Sequence, residues 1–264
     1  MKTIIFDGRA FAAEKEKELG GVARRLYTTI EGLDVQAHLA EIISRVYKNP
    51  LIHVSHEATI QDVSGYLGNF TTKIETEGRT KQIKHGATVL AIGAQEYQPT
   101  EYLYAENGQV FTHLELGEEI AKGNEAVTQA ENLVMIQCVG SRNEERNYCS
   151  RVCCSHAVKN ALKLKKINPE MRIYILFRDM SAYGLKEVFY REASEMGVQF
   201  IRYEPEDPPR VEVAKEGGKD VIRVTVPDDI LGQRLELDAD ILSLAAAVIP
   251  SAATKEIASQ FRVT

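Results

Sequence analysis

LVMIQCVGSRNEERNYCSRVCCSHAVKNALKLKK, residues 133–166, decides how the rest of the chain is read. It holds all four cysteines of the 264-residue sequence, Cys138, Cys149, Cys153 and Cys154, spaced C-x10-C-x3-C-C. Leu133–Ile136 is a short apolar run that predicts a buried strand, and Gly140 and Ser141 break it. From about Cys153 to Lys166 the pattern turns helical, with Ala157, Val158, Ala161, Leu162 and Lys165 at helical spacing. Lys163, Lys165 and Lys166 fall where they complement the negative end of the helix dipole. Arg172–Phe177 reads as a second strand, so residues 132–178 predict a β–α–β unit. One cysteine ends its first strand, and three lie in the loop and first helical turn, where free N–H groups and the positive dipole end favour thiolates.

Four cysteines in one short segment suit a metal centre, because iron–sulfur clusters and structural zinc both take four thiolates. A [4Fe–4S] cluster fits the adjacent Cys153–Cys154 pair better than zinc, since its four irons lie at separate corners. Zinc would draw both neighbours onto one ion. Spacing alone also leaves redox-active or inert thiols open, although no C-x-x-C motif is present.

Composition narrows the class. Hydrophobic residues make up 44% and charged residues 27%, ordinary for a globular protein, and the formal net charge is −6. No basic tract interleaved with aromatics points to nucleic acid. The longest apolar run, Ile241–Ile249, is too short to span a bilayer. MKTIIFDGRAFAAEKEKE at the N-terminus lacks a signal-peptide core, and cysteines gathered for metal suit the reducing cytoplasm.

The stretch IQCVGSRNEERNYCSRVCCSHAVKNA, residues 136–161, resembles the cluster-binding segment of the A subunit of heterodisulfide reductases. It is also similar to the flavin subunits of the quinone-interacting membrane-bound oxidoreductase. The resemblance implies a [4Fe–4S] cluster held by Cys138, Cys149, Cys153 and Cys154 beside an FAD. It implies an α/β fold of two dinucleotide-binding domains, thioredoxin-reductase-like, with the cysteine-bearing β–α–β unit inserted into the FAD domain. In that arrangement residues 1–124 are the first part of the FAD domain, 125–233 the inserted domain, and 234–264 the return. Glu14 matches a residue that binds the adenosine ribose of FAD, and Gly20 and Gly21 a pair near the pyrophosphate. Ala91, Ile92 and Gly93 match a turn beside the flavin. The implied function is electron transfer between FAD and the cluster, with other subunits of a heterodisulfide-reductase-like complex as partners and a ferredoxin or hydrogenase-type donor. The alternative is a non-catalytic docking module stabilised by zinc or a cluster. Arg142, Arg151 and His156 lie near the ligands in sequence, either tuning the cluster or serving as surface and partner contacts.

Two departures qualify the implied chemistry. The G-x-G-x-x-G loop that cradles the pyrophosphate is missing before Glu14, so both ends of the FAD domain are expected to lie outside this chain, and FAD binding is expected to be weak or absent. The turn of the inserted unit carries cysteines where a nicotinamide domain carries glycines, so NAD(P)H is not expected to bind there.

The remaining pattern supplies scaffold. Asp34 is an N-cap for a helix with the stripe Val35, Leu39, Ile42, Ile43 and Val46, stopped by Asn49-Pro50. Residues 56–78 read as strands around a turn at 65–69, and residues 84–94 as a buried strand ending in Gly93. Thr112 caps a short helix. Val211–Val213 and Val221–Val226 predict a hairpin turning through 215–219.

Overall fold

The computed structural model describes residues 2–6, 9–216, 219–228 and 232–263. They divide into two compact units, one of residues 1–26, 34–95 and 249–264, the other of residues 27–33 and 96–248.

The second unit is built on the β–α–β pattern. Strand β10 (Asn132–Val139), helix α4 (Cys153–Ile167) and strand β11 (Arg172–Phe177) form it, and β10 and β11 pair in parallel. With β9 (Val110–Thr112), β12 (Gln199–Arg202) and β16 (Ile241–Ala246) they make a parallel sheet in the order β12-β11-β10-β16-β9. Both faces of β10 are buried, which is why it reads as a continuous apolar run. Leu133 and Met135 pack on one face with Ala157, Val158, Ala161 and Leu164 of α4, together with α2 (His113–Lys122) and α5 (Glu187–Glu195). Val134, Ile136 and Val139 pack on the other face against Ile222, Val224 and Val226. Those three belong to an antiparallel sheet of β13 (Arg210–Glu216), β14 (Lys219–Asp228) and β15 (Gln233–Ala239). Each fully buried Leu, Ile or Val stabilises the layered core by about 1.5–3 kcal/mol. The hairpin expected at 215–219 is present as β13 and β14, but residues 217 and 218 of its turn lie outside the described residues.

One irregularity sits where function is expected. Ile136 pairs with Leu244 and Val139 with Ala246, so β10 carries one residue more than its partner across Gln137–Cys138. This bulge returns Val139 to the face of Val134 and Ile136. Cys138 is left in the left-handed region at φ 65°.

Thr112 and Glu115 form a reciprocal capping box at α2. At the far end of α4 the buried Lys165 Nζ donates to the carbonyls of Pro169 and Met171.

The first unit holds a sheet in the order β3-β2-β1-β7, from β1 (Lys2–Phe6), β2 (Arg9–Ala13), β3 (Ile52–Ser55) and β7 (Ala87–Leu90). An antiparallel meander of β4 (Thr59–Tyr66), β5 (Asn69–Thr76) and β6 (Arg79–His85) packs Ile60, Ile74 and Ile83 against Ala13 and Ala58. Helix α1 (Val35–Lys48) starts where expected, with Asp34 accepting from the Ala37 N–H at 2.9 Å. The short elements β8 (Ala94–Glu96), α3 (Glu125–Thr128), β17 (Val248–Pro250) and α6 (Thr254–Phe261) complete the chain.

Three expectations need revision. Residues 84–94 are not a buried strand: β7 lies at a sheet edge, pairs only with β1, and leaves Val89 52% exposed. The units divide after Gln95, not after residue 124, because α2 contributes Leu116 and Ile120 to the core around α4. The return comes after Val248, not at 234, because β15 completes the antiparallel sheet and β16 lies inside the parallel one.

Candidate cysteine centre and cavity

Residues 138–154 leave the sheet at the bulge and re-enter as α4. Four residues of this connection, Cys138, Gly140, Arg142 and Arg151, take left-handed backbone, three of them without glycine's freedom. Such conformations persist only when surroundings fix them. Arg178 Nη1 donates to the Arg142 carbonyl at 2.9 Å, and Arg142 Nη2 donates to Asp179 at 2.6 Å. Arg146 Nη1 donates to the Gly140 carbonyl at 3.1 Å while its guanidinium stacks 4.5 Å above the Tyr97 ring. Ser150 Oγ accepts from the Val248 N–H at 2.9 Å.

The four cysteines all lie on this connection or at its two ends, and no disulfide joins them. Cys149 is exposed, Cys138 and Cys153 are half-buried, and Cys154 is buried. The Arg151 N–H donates to Cys149 Sγ at 3.3 Å. Cys153 Sγ lies 3.8 Å from the Ala246 carbonyl and Cys154 Sγ 3.7 Å from that of Asp179, each thiol donating. Burial pushes the Cys153 thiol up to about 12, and the charges of Cys154, Cys138 and Cys149 push it the same way. Burial also raises Cys154, and raises Cys138 against the opposing pull of Arg142. The helix N-terminus was expected to favour thiolates; at Cys153 and Cys154 burial acts in the opposite direction. Among the described residues, no group of three or more His, Cys, Asp or Glu is gathered so as to hold a metal ion.

Of the neighbours expected from sequence, Arg142 faces Cys138 and Arg151 offers its backbone to Cys149. His156 instead turns inward, its ring 6.0 Å from that of His113. Arg178 and Asp179, at the end of β11, and Ala246, at the end of β16, join the site from distant sequence. Nothing local marks them, since the parallel sheet alone brings three strand ends together. Arg142, Asn143, Asn147, Cys149, Arg178, Asp179 and Ser181 line an open cavity of about 530 Å³ there.

The first unit has a larger cavity, about 750 Å³, lined by Glu14, Gly21, Ile92 and Gly93 together with Arg24, Arg25, Ser251 and Ile257. Four of the six residues expected at FAD therefore meet in one place. Gly20 and Ala91, each next to a lining residue in sequence, do not line it themselves. Glu14 is 6% exposed while Lys15, Glu16, Lys17 and Glu18 are exposed, so it is set apart from the charge run that follows. Its Oε1 accepts from the Glu16 N–H at 3.1 Å. Gly20 and Gly21 have φ of 122° and 51°, and Gly93 has φ 67°.

No family model matches the chain. It is 34% identical over 221 residues to the A subunit of ferredoxin:CoB-CoM heterodisulfide reductase from Methanosarcina acetivorans, covering 67% of this chain and 27% of that protein. It is 35% identical over 189 residues to the iron-sulfur A subunit of CoB–CoM heterodisulfide reductase from Methanocaldococcus jannaschii, covering 64% and 27%. The chain thus spans about a quarter of the length of these relatives. Among solved structures it is similar to thioredoxin reductase of Lactococcus lactis, with TM-score 0.55 and 16% identity over 93% of this chain and 72% of that one. An NAD-dependent persulfide reductase from A. fulgidus matches with TM-score 0.50 and 21% identity, over 94% and 42%. These likenesses show the fold, α/β and thioredoxin-reductase-like. On that fold, over the stretch they share, the chain is a homologue of the A subunit of heterodisulfide reductase.

Proposed function

We propose that the chain is the electron-transfer part of a heterodisulfide-reductase-like oxidoreductase, with Cys138, Cys149, Cys153 and Cys154 holding a [4Fe–4S] cluster. The observation that carries this reading is that four free cysteines share one loop at the head of the parallel sheet, with Cys138, Cys149 and Cys154 close enough for their charges to act on Cys153. The donor set fits the cluster: it is all sulfur, and a cationic iron core would offset both the burial that pushes Cys153 up to about 12 and the smaller repulsion from its three neighbours. One thiolate per iron also suits adjacent Cys153 and Cys154 better than a single zinc ion, whose ligands crowd within about 2.3 Å of it. Arg142 and Arg178 beside Cys138, and the Arg151 N–H on Cys149, place positive charge and a donor at the sulfurs, which raises a cluster's potential.

The cavity around Glu14, Gly21, Ile92 and Gly93 supports partial FAD contacts. Bound there, FAD supplies two-electron chemistry and the cluster one-electron transfer. Other subunits of such a complex, with a ferredoxin or hydrogenase-type donor, are the proposed partners, and the reducing cytoplasm is the compartment that suits the thiols. Among the described residues, no helix is long and apolar enough to cross a membrane.

The test is anaerobic purification with metal, sulfide and flavin analysis. About four irons and four sulfides per chain are expected, and stoichiometric zinc without iron would favour the docking-module reading. NADH and NADPH are expected neither to bind tightly nor to reduce the isolated chain.

A further inference from the structure

Beneath the cysteine loop runs a buried chain of polar groups that none of the cysteine chemistry uses. Tyr203 Oη donates to the Gln137 carbonyl at 2.7 Å. The Gln137 side-chain nitrogen lies 2.9 Å from His113 Nε2, and His113 Nδ1 lies 2.7 Å from Ser243 Oγ. All four residues are 5% exposed or less. Burial holds His113 down to about 3, so the ring is neutral, accepting from Gln137 and donating to Ser243. Asn160 Nδ2 anchors the other side by donating to the His113 carbonyl at 2.9 Å.

The position of this chain matters more than its burial. Gln137 and Cys138 are the bulge, where β10 slips by one residue against β16. The pairing of β10 with β11 ends at Ile136 and Leu176, so the buried Gln137 carbonyl just beyond it must find another partner. Tyr203, reaching in from beyond β12, supplies that partner, and Gln137's own side chain is tied to α2 and β16 through His113 and Ser243. Both ends of the residue preceding Cys138 are thus held while Cys138 turns out of the sheet at φ 65°.

We propose that Tyr203, Gln137, His113 and Ser243 are positioning residues for the cysteine centre: a buried clamp on the bulge that aims Cys138 at the other three thiols. The proposal rests on the cysteine reading above, but its test does not need a cluster. In the metal-free native chain, each cysteine's alkylation by iodoacetamide is followed by mass spectrometry, with exposed Cys149 as internal reference. Tyr203→Phe removes one hydroxyl and leaves the carbonyl unpartnered. The Cys138-to-Cys149 rate ratio should rise about tenfold, the equivalent of about 1.4 kcal/mol in local opening. Ser243→Ala, two links further off, should raise it by a smaller factor and decides the matter if the Phe variant does not fold. An unchanged ratio, or Cys138 and Cys149 accelerating together, overturns the clamp. Failure of the wild-type chain to load iron would remove the cluster and leave the alkylation result standing.

Discussion

The two candidate sites are built on opposite plans. The cysteine centre comes almost whole from one segment, residues 138–154, set on a parallel sheet whose central strand is buried on both faces. The cavity of the first unit is assembled from four short pieces, residues 13–25, 57, 92–95 and 251–257, and exposed charges such as Lys15, Glu16, Lys17 and Glu18 share its lining with buried Ala13, Glu14 and Ile257. A site on one segment keeps its ligands together by covalent spacing, and the sheet fixes only the entry and exit of the loop. A site gathered from loops holds its geometry only while each piece is separately supported. The cysteine centre should therefore fail sharply on single changes, and the cavity gradually.

The largest effect is expected at Cys153. Cys153→Ser in anaerobically prepared protein should drop iron from about four per chain to less than one, because a cluster needs all four thiolates. Iron retained at the wild-type level would break the contrast at its strong end. Next comes the interior beneath the loop. His113 takes a proton near 6.5 when unfolded but, buried, only near 3 when folded. Between those values the unfolded chain binds more protons, so stability falls as pH falls, by roughly 4–5 kcal/mol across the window and roughly 2 kcal/mol at pH 5. His156, lowered by burial as well, acts in the same direction. Urea unfolding of wild type and His113→Gln at pH 7.5 and pH 5 measures the slope. The variant should lose stability overall but lose less of it on acidification, and parallel slopes would show that His113 is not the group responsible.

The same contrast explains what could be read from sequence. The β–α–β unit was legible because strand, cysteine loop and helix are contiguous, and Leu133–Ile136 has the apolar density of a strand buried on both faces. The helix caps Asp34 and Thr112 were legible for the same local reason. The domain limits were not. Nothing in residues 110–122 announces that Leu116 and Ile120 pack on α4, and β16, though apolar apart from Ser243, gives no sign of lying between β10 and β9. Glu14 stood in a charge run whose other members are solvated, and only the fold separates it from them. His113, Ser243 and Tyr203 lie far apart in the chain, and their meeting is a product of tertiary packing that no spacing encodes.

Gly140 probes how rigidly the loop is held. A Cβ there would sit 2.2 Å from Tyr97 Cδ1, at a φ of 71° that disfavours any side chain. Tyr97 has little freedom to move, with Arg146 over its ring at 4.5 Å and its hydroxyl donating to Glu101 at 3.3 Å. Gly140→Ala should destabilise the protein by about 2–4 kcal/mol, overpacking and left-handed strain together. Adding Tyr97→Ala should recover the overpacking part and leave the backbone part. Denaturant midpoints decide it, and a Gly140→Ala protein as stable as wild type would mean that the loop yields more easily than its contacts imply.

The smallest effect belongs to the cavity. Without a G-x-G-x-x-G loop in the sequence, the backbone N–H groups that would cradle the pyrophosphate are lacking, so flavin titration should give FAD affinity weaker than micromolar. Glu14 is the one buried carboxylate among the residues lining the cavity, and the proposed flavin contact assigns it the adenosine ribose. A charge-assisted hydrogen bond to a ribose hydroxyl is worth about 1.5–3 kcal/mol, so Glu14→Ala should weaken the remaining affinity by about tenfold to a hundredfold. Glu41→Ala, an exposed change on α1 away from the cavity, serves as the control and should leave it unaltered. Submicromolar binding by the wild-type chain would show that the scattered contacts suffice without the loop. Equal affinities of wild type and Glu14→Ala would remove Glu14 from the site, and with it the main reason to read the cavity as a flavin contact.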